Sequence, residues 1–182
     1  MMDQAQHCCT STTVIVATPS ELRFASAEDV IVGLTRPPHG LSNEEYLDHL
    51  QNVRSIAQQL DLLLVQESDV LDARSCKIEK ILENTLKDKR RVKTDQTNVM
   101  KLRDLTALSD DDRIKKTVNM LQSSIRPRLK STLNLLKSHY ADLDQLHVEV
   151  RALRRRQEAV KTVLKWVDDE VKQCSQVIFI SP

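Results

Sequence analysis

The sequence predicts an all-α fold: two long coiled-coil-forming helices, about 43–106 and 110–176, behind a flexible N-terminal arm, arranged as an elongated helical hairpin or rod. Three observations predict it. From residue 129 to 174 apolar side chains recur on a seven-residue beat, which keeps one seam of a helix turned toward a partner helix. Helix breakers are nearly absent: the two glycines are Gly33 and Gly40, and beyond Gly40 the only prolines are Pro127 and Pro182. Aromatic residues make up 3% of the chain and charged residues 29%. That is too few rings for an ordinary globular core and enough charge to solvate the outer faces of long helices.

Composition divides the chain into an arm at 1–41, a first long helix at 42–108, a second at 109–176 and an apolar tail at 177–182. The arm holds both glycines, Pro19, Pro37, Pro38 and the hydroxyl cluster Thr10–Thr13. Such a mixture reads as flexible or loosely docked chain, with the hydroxyl cluster unmodified rather than phosphorylated. Within it, Ser26 with Asp29 three residues on reads as a helix start. Val30, Ile31, Val32 and Leu34 follow, as a short helix or a strand, before Pro37-Pro38 closes the segment. Leu22, Phe24 and Ile31 are the side chains by which this arm would dock.

Ser42 caps the first long helix, with Glu45 at the third helical position reaching back to the Ser42 amide and Leu41 and Tyr46 placed as a hydrophobic staple. Its seam reads Tyr46, Leu50, Val53, Ala57, Leu60, Leu64, Glu67, Leu71, Arg74, Ile78 and Ile81. Leu47, Leu63, Val70 and Leu82 widen the stripe, which suits three or four packed helices better than a two-stranded coil. Beyond Leu86 the pattern thins to Val92, Val99 and Leu102 amid the charged run 87–93.

Ser109, followed by Asp110, Asp111 and Asp112, is the start signal of the second long helix, because acidic side chains favour the positive end of a helix dipole. Ile114, Val118, Leu121 and Ile125 open its seam, and a four-residue phase shift at Pro127 leads into the main heptad. The partner-binding seam is then Leu129, Leu136, Leu143, Leu146, Val150, Leu153, Val160, Leu164, Val167 and Val171. Gln157, Thr132, His139 and Cys174 share the same stripe. Trp166 lies off the seam and suggests a second packing surface. In the tail, Val177, Ile178, Phe179 and Ile180 form a β-prone contact segment.

Helix positions flanking the seam test self-pairing. In a parallel homodimer Glu149 would meet Arg154 of the second copy, which attracts, but Arg156 would meet Lys161, which repels. The pattern favours a hetero-oligomer whose partner is acidic opposite 151–161. Lys89, Arg90 and Arg91 form one basic patch and Arg154, Arg155 and Arg156 another. With a net charge of +1 and no interleaved rings, contact with nucleic acid or microtubules is not the primary reading.

No phosphate-cradling glycine loop, metal-ligand spacing or nucleophile elbow occurs, so the expectation is no enzyme, no cofactor, no metal and no small-molecule substrate. No apolar run is long enough to span a membrane, and the four cysteines read as free thiols of the cytoplasm or nucleus. The expected function is a structural subunit among other coiled-coil proteins. Its layout is similar to that of subunits of kinetochore and mitotic-spindle (augmin-like) complexes. That likeness implies a chromosome- or spindle-associated protein of the cell cycle. A vesicle-trafficking or organelle-tethering adaptor rests on the same physics.

Overall fold

The computed structural model describes residues 17–107 and 111–178, the side chains of 176–178 excepted. Four helices make up its regular structure: α1 (Pro19–Phe24), α2 (Ala27–Thr35), α3 (Asn43–Thr106) and α4 (Asp112–Ile178). The fold is all-α, as the sequence predicts, and the two long helices are packed as a hairpin, the first of the two arrangements the sequence left open. The chain falls into two compact units, one from residues up to Glu67 with Ala152 onward, the other from Ser68–Arg151.

In the first unit each short helix carries its own start signal. Thr18 caps α1 and Glu21 returns the bond to the Thr18 amide at 2.7 Å, with Pro19 preset for the first turn. Ser26 caps α2, and Asp29 closes the same reciprocal pair. Arg36 is extended, as the residue before a proline prefers, and α2 ends there. Gly40 then takes φ +81°, a left-handed turn that a side chain would strain, and leads into α3.

Residues 17–41 therefore form two short docked helices with their connections, the second of the two readings the composition left open. Leu22, Val30 and Leu34 are buried, Ile31 is half-buried, and Phe24 points outward at 81% exposure. Gly33 is where α1 meets α2: a Cβ there would lie 3.0 Å from Leu22 Cδ2. Leu50, Val53, Ala57, Leu60 and Leu64 of α3 and Leu153, Val160, Val163 and Val167 of α4 are buried in the same unit. In this unit the seam of α3 is thus met by helices of its own chain, with Leu47 and Leu63 half-buried beside it, while Val70 in the second unit is 67% exposed.

Polar contacts give the direction of pairing. Tyr46 Oη donates to Glu170 Oε2 at 3.1 Å, Arg54 pairs with Asp168, and Gln157 Nε2 donates to the Leu64 carbonyl at 3.4 Å. As the numbers climb along α3 they fall along α4, so the helices run antiparallel. The seam glutamine has found a backbone acceptor rather than a second polar side chain.

The second unit repeats the antiparallel pairing, with Arg74 bound to Glu149 at 3.0 Å and Arg128 to Asp95 at 4.0 Å. Its core is thinner. Val92, Val99, Val118 and Ile125 form one cluster, with Leu129 packed against it. Two seam positions are threonines, Thr85 and Thr132, whose hydroxyls donate to the carbonyls of Ile81 and Arg128 one turn back.

Here the structure corrects the predicted seam: Arg74, Leu102 and Ile114 are exposed, and the phase shifts at two further places. Leu82, at 7% exposure, faces inward in place of Ile81 at 37%. Gln122 is half-buried while Leu121 is 43% exposed, so the seam runs Val118, Gln122, Ile125, Leu129 without the phase shift expected before Leu129. Pro127 sits on the exposed side of α4, within a helix that continues past it.

The boundaries differ slightly as well. Ser42 and Glu45 form the predicted box at the start of α3, with the Ser42 amide 2.8 Å from Glu45 Oε2. At α4 the observed cap is Asp111, whose Oδ1 accepts from the Arg113 amide at 2.8 Å; Ser109 lies outside the described residues. Val177 and Ile178 continue α4 as helix, contrary to the β-prone reading, because nothing in the preceding turns breaks the ladder. Phe179, Ile180 and the Thr10–Thr13 cluster lie outside the described residues.

Candidate functional site

The seam residues come together, but toward the chain itself. Leu136, Leu146, Leu153, Val160 and Val167 are buried, and Leu129, Leu143, Val150, Leu164 and Val171 are half-buried, all without a second protein. A 3.5-residue repeat asks for a partner helix and does not say whose. In this structure α3 packs along that stripe, covering five of the ten positions fully and the other five in part.

The basic patches separate in the same way. Arg156 is not a free surface cation: its Nη2 lies 3.2 Å from Glu67 Oε1, with the side chain 13% exposed. Arg23 reaches the other oxygen of Glu67 at 3.4 Å. Within the chain, Glu67 of α3 is the acidic group that faces Arg156. Arg154 and Arg155 remain exposed, as do Arg90 and Arg91, while Lys89 is half-buried on the seam side. Arg91 has Asp88 at 3.8 Å and Lys87 has Glu83 at 2.7 Å, pairs within one helix that leave the run accessible.

Among the described residues no group of three or more side chains could hold a metal ion. No helix among the described residues is long and apolar enough to cross a membrane. Cys76 and Cys174 are free thiols. His139 has Asp142 at 3.8 Å. Trp166 is half-buried. Near the start of α3, His49 is buried and its Nε2 has no hydrogen-bond partner among the described residues. Burial pushes its pKa down. Its neighbour Tyr46, ring centroids 6.5 Å apart, is pushed up to about 12 by burial and by the Glu170 carboxylate.

What the hairpin leaves uncovered is the more informative surface. In the second unit no described residue of 100–107 or 111–117 is buried. Met100, Leu102, Leu105, Ile114, Met120 and Leu121 are all exposed there, Leu105 to 76%. Between the helices lies a groove of about 210 Å³ with Val99 and Ile125 in its lining, Met100 beside them, and Arg103 and Arg126 at its rim. No protein family, curated protein or solved structure matches the chain.

The sequence reading missed this surface because it placed Ile114 and Leu121 in the seam. The signal was available. Between residues 87 and 130 the chain has thirteen lysines and arginines against six aspartates and no glutamate. Apolar side chains that fall out of the seam's phase within a basic stretch mark a face that α3 and α4 do not cover for each other.

Proposed function

We propose that this chain is a non-enzymatic structural subunit of a hetero-oligomeric coiled-coil assembly, of the kinetochore or mitotic-spindle kind. The observation that supports the subunit reading is that large apolar side chains stay exposed on both flanks of the seam along α4: Leu121, Leu133, Leu135 and Tyr140. Leu121 and Leu135 flank the seam on one side, Leu133 and Tyr140 on the other. Those are the positions at which a two-helix pair is extended to three or four helices. Exposed apolar rows of this kind on a soluble helix are covered by a partner in the working state. The kinetochore or spindle setting rests on the likeness of layout alone.

Affinity purification of the tagged protein from its own cells, with mass spectrometry and sizing, tests the reading. A stable set of small coiled-coil proteins is the expected result, and their identities decide between a spindle assembly and a trafficking or tethering adaptor. A chain recovered alone, as a homodimer, or only together with nucleic acid or microtubules contradicts the subunit reading.

A further inference from the structure

We infer that the groove between α3 and α4, lined by residues 96–103 and 122–126, docks an acidic amphipathic helix of a partner protein. The inference rests on the subunit reading and adds the chemistry of one partner.

The groove supplies both halves of such a contact. Val99 and Ile125 are 7% and 5% exposed, so together they form a mostly covered apolar floor. Met100 is 46% exposed beside them, an unbranched and adaptable side chain that moulds to what lies on it. Arg103 and Arg126 stand at the rim. Arg103 holds the adjacent Asp104 at 3.4 Å, while Arg126 has no ion-pair partner among the described residues. A guanidinium in that position takes a carboxylate through two parallel N–H donors. At about 210 Å³ the space is smaller than the ~300–1,000 Å³ of small-molecule sites and suits a few side chains of a docked segment.

Charge selects the occupant. The chain as a whole is nearly neutral, with 27 basic and 26 acidic residues. Residues 87–130 carry thirteen of the basic ones against six acidic. Two copies meeting through this stretch would repel, whereas an acidic helix is drawn to it and oriented by it. The recess favours a helix over a bilayer or a duplex, because a narrow groove with Val99, Met100 and Ile125 set among Gln96, Gln122 and two arginines accepts an amphipathic stripe laid along it.

The probes are synthetic and the protein is the full chain. A fluorescent peptide of roughly four heptads, with leucine on one face and glutamates beside it, is titrated by anisotropy. Its lysine counterpart and an acidic peptide scrambled to lose the apolar stripe serve as comparisons. The acidic amphipathic peptide should bind at least ~10-fold tighter than either. Arg103→Glu with Arg126→Glu, and separately Met100→Glu, should each weaken it by ~10-fold or more while helical content by circular dichroism stays unchanged.

Equal binding of the scrambled peptide overturns the inference. So does displacement of the acidic helix by vesicles of phosphatidylserine and phosphatidylcholine, by duplex DNA, or by self-association of the chain on sizing. A native complex that purifies intact with the charge-reversed protein, all partners present, also overturns it while leaving the subunit reading in place. Absence of any partner from that purification strikes the subunit reading instead.

Discussion

Arg156 of α4 donates to Glu67 of α3 across 3.2 Å, and the second carboxylate oxygen of Glu67 takes Arg23 of α1 at 3.4 Å. One carboxylate thereby joins three helices of the first unit. The side chains of Arg156 and Glu67 are only 13% and 22% exposed, so neither charge is fully returned to water if the other is removed. Glu67→Ala leaves two guanidiniums close together and one of them largely covered. We expect a loss of about 1–3 kcal/mol, between the surface and fully buried limits for broken ion pairs. The contrasting variant is Asp168→Ala, whose partner Arg54 is nearly half exposed and which should cost about 0–1 kcal/mol. Urea unfolding of both checks the order, and equal losses would contradict it.

Gly33 gives a second test, on the docking of α1. A Cβ at that position meets Leu22 Cδ2 at 3.0 Å, and Leu22 is itself buried. Gly33→Ala gains up to ~1 kcal/mol of helix propensity and needs Leu22 to move by a few tenths of an ångström, so it should be close to neutral. Gly33→Leu cannot be accommodated that way and should lift α1 away. Limited trypsin digestion reads the outcome: cleavage after Arg23 should accelerate in Gly33→Leu and not in Gly33→Ala.

His49 sets a pH dependence. Its folded pKa lies below the ordinary value of 6.5 because burial disfavours the imidazolium. Unfolded chain therefore binds the proton first, and stability falls as pH drops below about 6.5. Above that value both states are neutral and the histidine contributes no slope. Glu21 and Glu45, held below 4.5 by the amides and hydroxyls they cap, add their own loss only as pH falls past that lower value. His49→Leu should remove the slope that begins as pH falls below 6.5 and leave the one that begins below 4.5, as followed by thermal melting at a series of pH values.

Much of this architecture was legible in the sequence for a physical reason. Heptad spacing and the Ser42–Glu45 box are local signals, and a helix realises them whatever surrounds it. Pairing direction was not legible, because a seam such as Leu146–Leu153–Val160 offers the same apolar stripe to a parallel or an antiparallel neighbour. Direction emerges from cross-helix pairs such as Tyr46–Glu170 and Arg74–Glu149, which couple residues far apart in the chain. The phase errors at Ile81 and Leu121 have a related cause. Each has a neighbour one residue on, a third of a turn away, and the downstream anchors decide which of the two turns inward.

The candidate surface was hidden by the same ambiguity. Leu121 and Ile114 are apolar and near the right spacing, so counting them as seam left the stretch around Met100 and Arg126 with nothing to explain. Arg154, Arg155 and Arg156 looked equivalent as a basic cluster. Only Arg156 lies on the side of α4 that reaches Glu67, and this rotation about the helix axis separates a structural cation from two exposed ones.

The seam packs inside the chain, and on the proposed reading partners cover the outer faces of the second unit. The most direct measurement sets two double variants side by side, Leu146→Asp with Leu153→Asp in the seam, and Leu121→Asp with Leu135→Asp outside it. Each is followed by thermal melting of the helical signal and by co-purification of partners. Carboxylates in the filled seam cost several kcal/mol, so the first pair should lose its folded state and its partners together. The outer pair should melt like the parent chain and lose partners. Full partner recovery by the outer pair, or an unperturbed melt of the seam pair, would contradict the account.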